Sequence, residues 1–176
     1  ELLLEDTGSG TPAEIRPAYT TGGIFHHLVI LEESDRYVMW VNNRGGSSSN
    51  AFVNREQRVE STDGLVWTNR VDTNQINSSP GYDYHFGFST IISNGVNYEG
   101  WHESYYNTVN GMWVQYARYL TSPDGLIWTV VNSPILSSVR DVNVIAQGGL
   151  YHLWAAPDYD ISNVGSQSSR YRTSAA

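Results

Sequence analysis

The stretch Tyr98-Glu99-Gly100-Trp101-His102-Glu103 sets two carboxylates four residues apart among aromatic and small residues. On a β-strand that spacing turns both side chains to one face. Two carboxyl groups facing one bond, about 5–5.5 Å or about 6.5–9.5 Å apart, are the equipment of glycosidic-bond hydrolysis. Glu99 and Glu103 are therefore candidates for one carboxyl group of such a pair, the second to be found elsewhere in the chain, with solvated strand residues as the competing reading. The five histidines form no metal motif. His26 and His27 are adjacent and would point to opposite faces of a strand, while His85, His102 and His152 lie on separate segments. No Gly-rich phosphate loop and no Gly-x-Ser-x-Gly elbow is present, so neither a metal nor a cofactor is expected.

The elements that must carry these groups follow from composition. Apolar residues make up 40% of the 176 and aromatic residues 12%, enough to bury one core. Short β-branched and aromatic runs alternate with Gly, Ser, Asn and Thr, and no segment sustains a 3.6-residue apolar period. This pattern predicts an all-β protein. The formal net charge is −8, and all ten basic residues are arginines without a cluster. Nucleic acid is thereby excluded as a partner, and a neutral ligand is favoured over an anionic one. No run reaches the length of a membrane-spanning helix. Leu2 to Leu4 is too short for a signal-peptide core, so no export signal is expected. Without cysteine there is no disulfide framework.

An internal repeat organises the chain. Ser61-Thr62-Asp63-Gly64-Leu65-Val66-Trp67-Thr68 recurs 61 residues later as Ser122-Pro123-Asp124-Gly125-Leu126-Ile127-Trp128-Thr129. Arg36-Tyr37-Val38-Met39-Trp40 matches Asn97-Tyr98-Glu99-Gly100-Trp101 at the same spacing, and Leu150-Tyr151-His152-Leu153-Trp154 is a third copy. The third copy reaches the serine of the turn at Ser174, and no Asp-Gly-x-x-Trp follows it. In the second unit the expected strands are 88–93, 98–103, 113–121 and 127–131, with Asn94-Gly95 as the first hairpin turn and Asp124-Gly125 as the last. Four antiparallel strands per repeat of this length predict β-propeller blades over about 23–70, 84–132 and 139–176, in a single three-blade unit with an added N-terminal strand at 1–5. A β-sandwich with coincident turns is the alternative. In the turn, Gly supplies a positive φ and the Asp and Ser side chains accept turn amides, which makes Asp63 and Asp124 structural residues.

The phrase Tyr119-Leu120-Thr121-Ser122-Pro123-Asp124-Gly125-Leu126-Ile127-Trp128 resembles the blade hairpin of glycoside hydrolases with five-bladed propellers, notably families 43 and 32. It is also similar to the Asp-box of sialidases, with one residue fewer between Asp and Gly. Val139-Arg140-Asp141-Val142-Asn143-Val144-Ile145 resembles the Arg-Asp-Pro strand of those hydrolases, with Val142 in the place of proline. The resemblance implies that Asp141 is a transition-state or pKa-tuning carboxylate on an inner strand; a structural ion pair with Arg140 is the competing reading. Thirteen residues separate Asp141 from Trp154, and the same offset places Phe88 before Trp101 and His27 before Trp40. Asp141, His27 and Phe88 are thus expected near the axis, with Arg140 close by. Asp83 precedes an inner strand and is expected to reach the channel mouth. Tyr82, His102 and Trp113 join the candidate ligand-binding residues, since aromatic rings stack on sugar faces.

These readings predict a carbohydrate-binding or degenerate glycosidase-like propeller. The alternatives are an active glycoside hydrolase using Asp141 with Glu99 or Glu103, and a structural or protein-interaction propeller. Three blades cannot close a ring, so a homodimer of six blades is expected, with Leu2–Leu4 pairing with the strand around Arg170–Thr173 of the partner.

Overall fold

The computed structural model describes residues 24–46, 52–77, 83–107, 113–157 and 170–175. Eleven strands run through them: β1 (Ile24–Glu32), β2 (Tyr37–Gly46), β3 (Phe52–Ser61), β4 (Thr68–Asn77), β5 (Asp83–Ser93), β6 (Tyr98–Asn107), β7 (Trp113–Ser122), β8 (Thr129–Ser137), β9 (Val139–Gln147), β10 (Leu150–Pro157) and β11 (Arg170–Ala175). They form three antiparallel sheets: sheet I in the order β1-β2-β3-β4, sheet II in the order β5-β6-β7-β8, and sheet III in the order β11-β10-β9. The protein is all-β among the described residues. The expected N-terminal strand at 1–5 lies outside them.

Turn chemistry sets where strands stop. Asn94 Oδ1 accepts the amides of Val96 and Asn97, and Gly95 takes a positive φ of 82°, closing the β5–β6 hairpin. The two Asp-Gly turns are built alike. Asp124 Oδ1 accepts the amides of Leu126 and Ile127 at 2.8 and 2.9 Å, and Ser122 Oγ accepts that of Gly125 at 2.8 Å. Asp63 and Ser61 repeat this set on Leu65, Val66 and Gly64. Because these amides are consumed by the turn, the fourth strand of sheet II starts at Thr129 rather than at Ile127.

The sheets pack face to face. Val38 and Trp40 of sheet I meet Phe88, Ile91, Leu120 and Trp128 of sheet II. Trp101, Ala117 and Leu136 of sheet II meet Val139, Val142, Val144, Leu153 and Ala155 of sheet III. Strand alternation explains how one strand serves two neighbours. On β6, Glu99, Trp101 and Glu103 face sheet III, and Tyr98 on the opposite side packs edge-on against Trp40 at 5.2 Å. The tyrosines three residues before Trp101 and Trp154 make a second link between sheets. Tyr98 donates its hydroxyl to Glu33 of sheet I, and Tyr151 donates to Glu99 of sheet II.

Candidate functional site

The first strand of every sheet carries a bulge at the same place. Pairing slips between His26 and Leu28 on β1, between His85 and Gly87 and again between Phe88 and Thr90 on β5, and opposite Trp154 to Ala156 on β9. His27 and Asp141 take positive φ values of 48° and 51° there, and Gly87 one of 129°. A bulge leaves backbone amides without ladder partners and re-aims side chains. Two buried carboxyl groups take up such amides from the next sheet. Glu103 Oε1 accepts the Val142 amide at 3.1 Å and the Ser89 hydroxyl, while its Oε2 accepts Gln115 Nε2 at 2.5 Å. Glu56 accepts the Phe88 amide, and Asn42 Nδ2 donates to its Oε2 at 3.3 Å. Burial pushes the Glu56 carboxyl up to about 8, against the lowering effect of those two donors, and its Oε1 has no hydrogen-bond partner. Gly87 makes the joint possible: a Cβ there would come within 2.9 Å of the Cβ atoms of Asn42 and His27.

The predicted site residues divide accordingly. Asp141 is 65% exposed at its side chain and lies 3.7 Å from the Arg140 guanidinium. Glu103 is fully buried and held by three donors. Glu99 is half-buried and accepts from Tyr151. Four residues along β6 separate Glu99 from Glu103, about 13 Å of backbone at strand rise. His27 is half-buried on its bulge. Phe88 and His102 are fully buried against each other, edge to face at 4.8 Å, and Arg118 lies 3.2 Å from His102 Nδ1. Asp83 and Trp113 open β5 and β7, and Tyr82 lies outside the described residues. Among the described residues no three His, Asp or Glu side chains are grouped as a metal site.

A cavity of about 500 Å³ opens between sheets II and III, lined by Glu99, Trp101, Tyr119, Asn132, Tyr151 and Arg172 together with Ile135, Leu136 and Leu153. Tyr151 stands edge-on to Trp101 at 5.2 Å, and Tyr119 lies tilted to it at 5.3 Å. Burial and then the Glu99 carboxylate hold the phenols of both tyrosines above their ordinary range. The site therefore offers aromatic faces beside a fixed carboxylate, an amide and a guanidinium. Sequence reasoning singled out Glu99 here and missed Tyr119, Asn132, Tyr151 and Arg172. Tyr151 stands in the repeated Tyr-x-x-Trp pattern, which is the signal that could have found it.

No protein-family model matches the chain, and no curated protein matches it. Among solved structures it is similar to a BT0996 complex with RGII in its description, with a TM-score of 0.40, 8% identity, and coverage of 86% of this protein and 71% of that one. It is also similar to a structure described as "Glycoside hydrolase", with a TM-score of 0.41, 8% identity, and coverage of 89% and 72%. Both likenesses are weak.

Proposed function

We propose that the protein is a carbohydrate-binding propeller whose sugar site is the cavity between sheets II and III. The observation that carries this reading is the lining itself. Trp101, Tyr119 and Tyr151 supply ring faces for the apolar side of a sugar, and Glu99, Asn132 and Arg172 supply the polar groups that fix hydroxyls. A net charge of −8 favours a neutral glycan. The propeller reading rests on the repeat, on the face-to-face sheets, and on the adjacent bulges of β1, β5 and β9, which would line the axis.

Binding without turnover is the favoured form. Asp141 is paired with Arg140, and Glu103 is sealed by internal donors, so neither is supplied with a partner across an open bond. The test is calorimetric titration of neutral oligosaccharides into the wild type and into Asn132→Ala and Tyr151→Phe. Binding that weakens at least about tenfold in both variants is expected, with the melting temperature unchanged in Asn132→Ala. Wild-type binding that neither variant alters would overturn the site. Release of an aryl leaving group from an aryl glycoside, lost in Asp141→Asn, would establish the hydrolase instead. Absence of both binding and turnover would leave a structural or protein-interaction propeller.

A further inference from the structure

The tryptophan of the second strand in each sheet occupies one position, Trp40, Trp101 and Trp154, on the face turned towards the following sheet. The first of these shows what the position is for. Trp40 is completely buried, and its indole N–H donates to the Gly125 carbonyl at 2.8 Å. A Cβ on Gly125 would lie 2.7 Å from the Trp40 ring, so only a glycine turn can settle there. The Ser122–Trp128 turn of sheet II is thus a knob, and Trp40 of sheet I is its seat.

The same chain holds a second knob and an open seat. The Ser61–Trp67 turn has the Ser and Asp hydrogen bonds of the first, yet a Cβ on Gly64 would meet only the Tyr37 ring, at 3.8 Å, and Leu65 and Val66 are exposed. At the other end of the molecule, Leu153 and Ala155 face sheet II, so Trp154 between them faces away. It is 39% exposed, lies against Tyr171 at 5.2 Å and stacks on His152 at 6.2 Å, and the exposed Ile145 pairs with His152. Ile30, ten residues before Trp40, is the counterpart of Ile91, ten before Trp101. Ile91 is buried against sheet I, whereas Ile30 is 47% exposed.

We propose that the Trp154 face of sheet III is a docking surface for the Ser61–Trp67 turn of a second copy of this chain. The Trp154 indole donates to the Gly64 carbonyl of that copy, and Ile145 packs on its Ile30. The contact is head to tail, and two copies making it reciprocally close a ring of six sheets. What selects this occupant is the molecule itself, since knob and seat already fit each other between sheets I and II. The inference stands independently of any sugar in the cavity.

Light scattering on the 176-residue chain should give about twice 19.7 kDa. Trp154→Arg and Ile30→Glu each alter an exposed side chain, and each alone should run as a monomer. Mixed in equal amounts they should recover the two-copy mass, because the first retains an intact knob and the second an intact seat. Recovery on mixing separates a blocked contact from a misfolded chain. A wild type that stays at one copy, variants that keep the wild-type mass, or a mixture that stays monomeric would each overturn the proposal.

Discussion

Sheets I and II meet over a filled joint, and sheets II and III over a cavity, although equivalent positions face each other across both. One turn and one ring fill the first joint. Between sheets I and II, Gly125 sits on Trp40, and Trp128 lies against Phe88 at 4.3 Å and against Trp40 at 6.3 Å. In sheet III, β11 carries Ser174 opposite Tyr151, as β7 carries Ser122 opposite Tyr98. The Ser122–Trp128 turn, seated on Trp40, makes the first joint dense.

Removing the ring that distinguishes the joints should have the largest effect. Trp128→Ala should destabilise by about 3–5 kcal/mol in chemical denaturation, the range for a buried aromatic truncated in a packed core. Trp101→Ala, beside an existing cavity, should cost less. Equal losses would mean that the two joints are equally dense in solution.

The next test keeps the turn and changes its contact. Gly125→Ala should cost about 2–3 kcal/mol, combining positive-φ strain with a clash on Trp40, while Gly64→Ala should cost about 1 kcal/mol from strain alone. Denaturant midpoints of the two variants measure the difference, which should vanish if the Gly125 seat is loose.

Acidity probes the bulge end of the first joint. The folded Glu56 carboxyl, at about 8, lies above its unfolded value, so the native state holds an extra proton. Its contribution is complete below the ordinary carboxylate range and is lost as pH rises through about 8. Across that window stability should fall by up to about 1.4 kcal/mol per pH unit. Glu56→Gln should remove this slope, as read from unfolding midpoints between pH 5 and 9 (roughly the window set by the linkage). A slope unchanged by the substitution would place the proton elsewhere.

The smallest expected effect belongs to the cavity. Asn132→Leu should stabilise by about 0.5–1 kcal/mol by filling space, and should weaken glycan binding. A loss of stability would show that the space is already occupied in the free protein.

Much of the architecture was legible, because the repeat fixes turns by residue type. Asn94-Gly95 and Asp124-Gly125 close hairpins where their chemistry predicts. Alternation on β6 also placed Glu99 and Glu103 on one face, as found. It did not reveal which was buried, since a strand between two sheets has no solvent side. Glu56 escaped notice because its counterpart in the second unit is Ala117, so no repeat marks it. The bulges were equally hidden: the extra residue shifts side-chain parity, and a lone His or Asp, though enriched at positive φ, does not by itself mark a bulge. Tyr119 and Asn132 pair across β7 and β8, but Arg172 joins them only through sheet packing, which spacing along the chain does not encode.

Asn74 carries a consequence for motion. Its side chain donates to the Trp128 carbonyl at 2.9 Å and accepts the Trp128 amide at 2.8 Å, and its own amide donates to the Leu126 carbonyl at 3.0 Å. Three hydrogen bonds thus tie the last strand of sheet I to a loop of sheet II. In hydrogen exchange the Trp128 amide should therefore open with the two sheets together, and not with its own hairpin. Sheets I and II would then behave as one cooperative unit, and sheet III as the first to fray.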